Sequence, residues 1–168
     1  RRSSDLIPEW RDGMQVAPGQ VGEITVAGPS ATDAYFNRDA QTALAKIRET
    51  LPDGGSRIVH RMGDLGWFDD AGRLWFCGRK SQRVVVDAQT TLCTEQVEPV
   101  FNAHPQVLRT ALVGVGEKGA QLPVLVFELK PGAKANVAEV ADELRHIAQG
   151  IVHTAKIEGF LHYPKPFP

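Results

Sequence analysis

Asp64 stands in the run His60-Arg61-Met62-Gly63-Asp64-Leu65-Gly66, between glycines and at the start of an apolar stretch that reads as a strand. A carboxylate offers two acceptor oxygens, which suit the vicinal hydroxyls of a ribose. The glycines beside it let a ligand approach the backbone closely. A second run, Gly72-Arg73-Leu74-Trp75-Phe76-Cys77-Gly78-Arg79-Lys80, ends in an arginine just past a strand. The rigid donor fork of Arg79 matches phosphate or carboxylate, and Phe76, just upstream, offers a ring to a purine face. Together these residues describe a nucleotide site in which sugar, base and phosphate are handled separately. Each also has a plainer reading. An Asp among glycines commonly bonds its own turn, an Arg after Gly is commonly a solvated charge, and a strand Phe is commonly core.

The elements that must position these residues are legible from pattern. Gly22-Glu23-Ile24-Thr25-Val26-Ala27-Gly28 alternates and is bounded by glycine, as a strand is. Asn37 or Asp39 is placed to cap a helix in which Ala40, Ala43, Leu44 and Ile47 follow a helical period. Residues 65–68, 73–77 and 83–86 read as short strands, with Asp69-Asp70-Ala71-Gly72 as a hairpin turn. Beyond residue 86 the pattern changes. Thr94 is placed to cap a helix ending near Asn102, because Pro105 disfavours helix just before it. Residues 108–115 and 123–129 read as buried strands. Asn136 caps a second helix with Val137, Val140, Ala141, Leu144 and Ile147 on one face, and residues 160–163 read as a last strand.

Composition narrows the function classes. Of 168 residues, 19 are basic and 20 acidic, so no nucleic-acid partner is expected. No apolar run is long enough for a membrane span. No signal peptide is visible at Arg1-Arg2-Ser3-Ser4-Asp5, and two isolated cysteines, Cys77 and Cys93, read as reduced thiols, so the expected location is cytoplasmic. No metal-ligand cluster is expected.

The order of the motifs resembles the adenylate-forming superfamily, which includes acyl-CoA synthetases, peptide-synthetase adenylation domains and firefly luciferase. Gly22-Glu23-Ile24, then His60-Arg61-Met62-Gly63-Asp64, then Gly78-Arg79 stand where that family carries Gly-Glu-Leu, Tyr-Arg-Thr-Gly-Asp and Gly-Arg. Glu95-Gln96-Val97-Glu98 and His104-Pro105-Gln106-Val107 look like its downstream Glu-Ile-Glu and His-Pro-x-Val signature. The resemblance implies an α+β chain: the β-rich end of a large N-terminal domain (1–79), joined by a hinge to a small α+β C-terminal domain (80–168). It implies ATP and Mg²⁺ as cofactors. It assigns Asp64 to the ribose hydroxyls, Arg79 to the ribose and phosphate region, Phe76 to the adenine and Ser81 to the hinge. His60 and Met62 replace the common Tyr and Thr. It also implies that the phosphate loop and acyl pocket lie upstream of Arg1 and the adenylation lysine beyond Pro168. No catalytic residue is then expected within these 168, and the isolated segment is expected to be inactive.

The wording around the motifs is narrower still. His60 to Gly66, Gly72 to Lys80, Thr94 to Pro105 and His162 to Pro168 look like the β-lactone synthetases of bacterial long-chain olefin biosynthesis. That resemblance implies a 2-alkyl-3-hydroxy fatty acid as substrate, a β-lactone as product and other enzymes of the olefin route as partners. A long-chain acyl-CoA synthetase, separated by its need for CoA, is the alternative enzyme. A non-catalytic interaction module with the same fold is the alternative of another class, and retention of Asp64 and Arg79 weighs against it.

Overall fold

A computed structural model describes residues 6–167. The chain divides into two compact units, residues 1–80 and 81–168. The long strand β3 (Ser56–Phe68) organises the first. Strand β1 (Gly22–Ala27) pairs antiparallel along one edge of it. On the other edge β2 (Lys46–Thr50) pairs with its N-terminal part, and β4 (Leu74–Arg79) with its C-terminal part.

Helix α1 (Asp39–Ala45) runs straight into β2. The expected helical period therefore stops short of Ile47, which is buried in the strand opposite Val59. Pairing with a strand that already presents an open edge outweighs the weak helix propensity of Ile47 and Thr50. Asn37 adopts φ +50 before the helix, and neither it nor Asp39 is the N-cap, which is Arg38.

The β3–β4 hairpin is held by Asp69. Its Oδ1 accepts from the backbone N–H of Ala71 (3.0 Å) and Arg73 (2.9 Å), and its Oδ2 from Trp75 Nε1 (2.8 Å) and Arg73 Nε (2.7 Å). Donation from Trp75 and the Arg73 backbone holds this carboxyl below its ordinary range. Gly72, at φ +73, supplies the left-handed residue that a three-residue hairpin loop requires.

The second unit packs two helices on a small sheet. Strands β7 (Val107–Val115) and β8 (Leu122–Leu129) form an antiparallel hairpin, and β9 (Gly159–His162) joins β8 in parallel. A short ribbon of β5 (Val84–Val85) and β6 (Thr91–Leu92) precedes α2 (Thr94–Asn102), and α3 (Val137–Gln149) crosses between β8 and β9. The core gathers Val97 and Phe101 of α2, Val140 and Leu144 of α3, and Leu112, Leu125, Phe127 and Phe160 of the sheet. Asn136 caps α3 as its sequence predicts, accepting from Ala138 N–H at 3.0 Å. Thr94 does not cap α2: Cys93 holds that position and makes no side-chain cap bond, while Thr94 is buried as the first helical residue. No helix among the described residues is long and apolar enough to cross a membrane.

Two expected signatures of this unit turn out to be structural. Glu98 Oε1 accepts the Leu112 N–H at 2.9 Å, satisfying a donor on the free edge of β7. Desolvation pushes its carboxyl up, against the N–H donation. His104 is buried just past α2, its Nδ1 accepting Gln106 N–H (3.2 Å) and its Nε2 facing Glu143 Oε2 (2.7 Å). The first contact requires the proton on Nε2, so the neutral ring donates to Glu143. Cys77 and Cys93 are both buried, and burial pushes the Cys77 thiol up.

Candidate nucleotide site

Both ladders of β3 are irregular beside Asp64. Glu23 pairs with Leu65 while Thr25 pairs with Arg61, so residues 62–64 bulge out of the β1 ladder. Gly63 takes φ +72 in that bulge. Two carbonyls of the bulge meet the end of β4. Gly63 O accepts Lys80 N–H at 2.9 Å, and Met62 O accepts Arg79 Nη1 at 3.2 Å.

On the β4 side Asp64 pairs with Arg79, Leu65 with Gly78 and Gly66 with Phe76, which leaves Cys77 as an extra residue. Directly paired residues share a face and alternate residues share a face. Asp64, Gly66, Phe76 and Arg79 therefore lie on one face, with Leu65 and the buried Cys77 on the other. In a regular strand Phe76 and Arg79, three apart, would point to opposite faces; the bulge brings them to the same one. Gly78, at φ +114, carries the bulged backbone.

Gly66 is the floor between them. A Cβ there would stand 2.8 Å from Trp75 O and 2.9 Å from Ile24 Cδ1. Because one of those atoms is backbone, Gly66→Ala is expected to cost about 1–3 kcal/mol by overpacking, read as a lower midpoint in urea denaturation of this unit.

Arg79 Nη1 lies 3.0 Å from Asp64 Oδ1, the Arg side chain 58% exposed and the Asp 21%. That is ion-pair distance, yet Oδ1 is buried and no donor is aimed at it, since the guanidinium donates to Met62 O instead. The pair thus keeps an exposed donor fork beside the half-exposed ring of Phe76, while Oδ1 itself is shielded from solvent. Such a fork suits the anionic groups of a ligand, and the exposed part of the Asp64 carboxylate suits its donors. Ser81, the expected hinge, is the first residue of the second unit. Lys80 goes with the first unit, one residue past the boundary its sequence suggests, because both its N–H and its ammonium are held there. Among the described residues no three His, Cys, Asp or Glu side chains gather as metal ligands.

Sequence reasoning passed over Glu23 and Arg61, although each sits inside a quoted motif, and read Lys80 only as part of a local basic spot with Arg79 and Arg83. Glu23 Oε2 accepts from Arg61 Nε (3.1 Å) and Nη2 (2.7 Å) and from Lys80 Nζ (2.8 Å). Desolvation pushes the Glu23 carboxyl up, but donation from Arg61 and Lys80 outweighs it and holds the group below its ordinary range. A lowered folded-state pKa means the stabilisation is complete above the ordinary carboxylate pKa and is lost as pH falls through the lowered value. Glu23→Gln is accordingly expected to flatten the acid limb of the stability–pH curve below pH ~4.5, measured by denaturation across that range.

This two-unit α+β fold carries a carboxylate and an arginine paired at the end of the first unit. It superposes on o-succinylbenzoate CoA synthetase from Bacillus subtilis, solved with its acyl-adenylate intermediate, with TM-score 0.68 and 26% identity, over 94% of this chain and 30% of that one. The chain is similar to part of the adenylate-forming ligases. Its sequence is similar to the olefin beta-lactone synthetase of Xanthomonas campestris, 60% identical over 158 residues, and to that of Stenotrophomonas maltophilia, 56% identical over 158 residues. Each match takes in 94% of this chain and 28% of the relative, so the chain spans little more than a quarter of the length of these proteins. No family model matches the sequence.

Proposed function

We propose that this chain is part of an enzyme that uses ATP to activate the carboxylate of a 2-alkyl-3-hydroxy fatty acid and closes it to a β-lactone. The carboxylate attacks the α-phosphorus and pyrophosphate leaves. The acid's own 3-hydroxyl then attacks the activated carbonyl, loses its proton and expels AMP. A carboxylate is a poor electrophile, and the mixed anhydride gives it a good leaving group. The intramolecular nucleophile gains an effective molarity on the order of 10⁵–10⁸ M when well oriented, so no CoA is required.

The observation that carries this reading is the Asp64–Arg79 pair on one face with Phe76, its arginine fork exposed. In this reading Asp64 accepts from the ribose hydroxyls, Arg79 reaches the ribose and phosphate region, and Phe76 packs on the adenine. The similarity to proteins named olefin beta-lactone synthetase supports the choice of acid and of ring closure. Mg²⁺, when bound, offsets negative charge on the phosphates; no residue described here is assigned to it. Ser81 is the pivot between half-reactions. The phosphate loop and the adenylation lysine belong to other parts of the enzyme, so the 168-residue chain by itself is expected to release no pyrophosphate from ATP and acid; detectable release would overturn that assignment.

Product analysis tests the whole reading. The full-length enzyme, supplied with ATP, Mg²⁺ and a 2-alkyl-3-hydroxy fatty acid, is expected to give β-lactone and AMP without CoA. A thioester formed only with CoA would keep the site but replace the reaction with acyl-CoA synthesis.

A further inference from the structure

Three segments far apart in sequence meet at one carboxylate oxygen. Glu23 lies on β1, Arg61 within β3 and Lys80 just past the end of β4, and Glu23 Oε2 accepts from both cations at 2.7–3.1 Å. The cluster is shielded, with the Glu23 side chain 17% exposed and that of Arg61 8%. Arg61 also donates to Leu44 O at 2.9 Å, which ties the end of α1 to the same point. Glu23 is paired with Leu65, on the face of the sheet opposite Asp64. It is not placed to touch a ligand at Asp64.

What it does hold is the strand end. Lys80 is fixed twice, by its N–H to Gly63 O and by its ammonium to Glu23. Gly63 directly precedes Asp64, and Arg79 directly precedes Lys80, so these two anchors bracket the Asp64–Arg79 pair. Strand ends fray unless something holds them, and Gly78, beside the pair, gives the backbone little stiffness of its own.

We propose that Glu23 is a positioning residue for the nucleotide site: by gathering Arg61 and Lys80 it fixes the end of β4, and with it the reach of Arg79 beside Asp64. This rests on the nucleotide reading above. Glu23→Gln keeps an acceptor of the same shape and removes the charge. In the full-length enzyme it is expected to raise KM for ATP about tenfold, with KM for the acid within about twofold, as loss of an orienting ion pair does. Lys80→Met gives the same pattern, Lys80→Arg restores near-normal KM for ATP, and the double variant Glu23→Gln/Lys80→Met is no worse than either single one, because all act through one contact.

A second readout needs no activity. In the 168-residue chain, amide exchange at Lys80 is expected to speed up by about tenfold or more in Glu23→Gln, while the Gly72 amide in the hairpin turn keeps its rate. An unchanged KM for ATP, or equal rises in both KM values, overturns the proposal, as does unchanged exchange at Lys80. A full-length enzyme that consumes no ATP even without substitution would overturn the nucleotide reading itself, and that result appears in the wild type rather than in the variant comparison.

Discussion

Asp64→Ala in the full-length enzyme is expected to lower kcat/KM for ATP by about 10- to 100-fold, the equivalent of losing charge-assisted hydrogen bonds worth about 1.5–3 kcal/mol. The loss is a binding effect rather than an unfolding one. The Asp64–Arg79 pair has an Arg side chain 58% exposed, and an ion pair of that kind contributes at most about 1 kcal/mol to stability. Arg79, freed of its partner, still donates to Met62 O and still reaches solvent. Asp64→Asn is expected to fall between, because an amide keeps one acceptor oxygen. AMP formation against ATP concentration, set beside a denaturation curve for each variant, separates the two effects. A variant with unchanged kinetics would remove Asp64 from the site.

The largest expected effect on stability belongs to Phe101. It is fully buried at the centre of the second unit, packed edge-on to Phe160 with ring centroids 6.0 Å apart, in a cluster that includes Leu125, Phe127 and Val107. Phe101→Ala removes a large ring from a site walled by two helices and a sheet, which leaves little scope for collapse, and about 3–5 kcal/mol is expected to be lost. That is a large share of what a domain of this size possesses. Amide exchange in urea shows where the loss falls. Protection in α2, β7 and β8 should drop together, while β1 and β3 of the first unit keep theirs, because the cluster around Phe101 lies within residues 84–160. A uniform loss in both units would mean that they unfold as one.

Much of the fold was legible because local chemistry and tertiary context agree. Asn136 precedes a run with apolar residues at helical spacing, and α3 begins there. The Asp69 turn announces the β3–β4 hairpin. The strands of the second unit end within a residue or so of where their apolar runs end. Where the reading went astray, a partner distant in sequence decided. Residues 46–50 continue a helical pattern, yet they pair with residues 56–60 of β3. Residues 56–64 carry too many polar groups to read as strand, but they lie at the centre of a sheet with partners on both edges. Thr94 has the chemistry of a cap and is buried instead.

The sequence by itself determined that a carboxylate, an aromatic ring and an arginine follow one another among glycines, and that composition and helix patterns suit a two-part α+β chain. Those are properties of residue type and short spacing. Only the tertiary structure decided that the three share a face. Phe76 and Arg79 are an odd number of residues apart, and a regular strand would separate them; one extra residue at Cys77, carried by the positive φ of Gly78, reverses that. Only the tertiary structure, too, brought Glu23, Arg61 and Lys80 to one oxygen atom. Charges that far apart along a chain carry no local signal of partnership, because their meeting depends on strand order and register, which are set by pairing across the whole sheet.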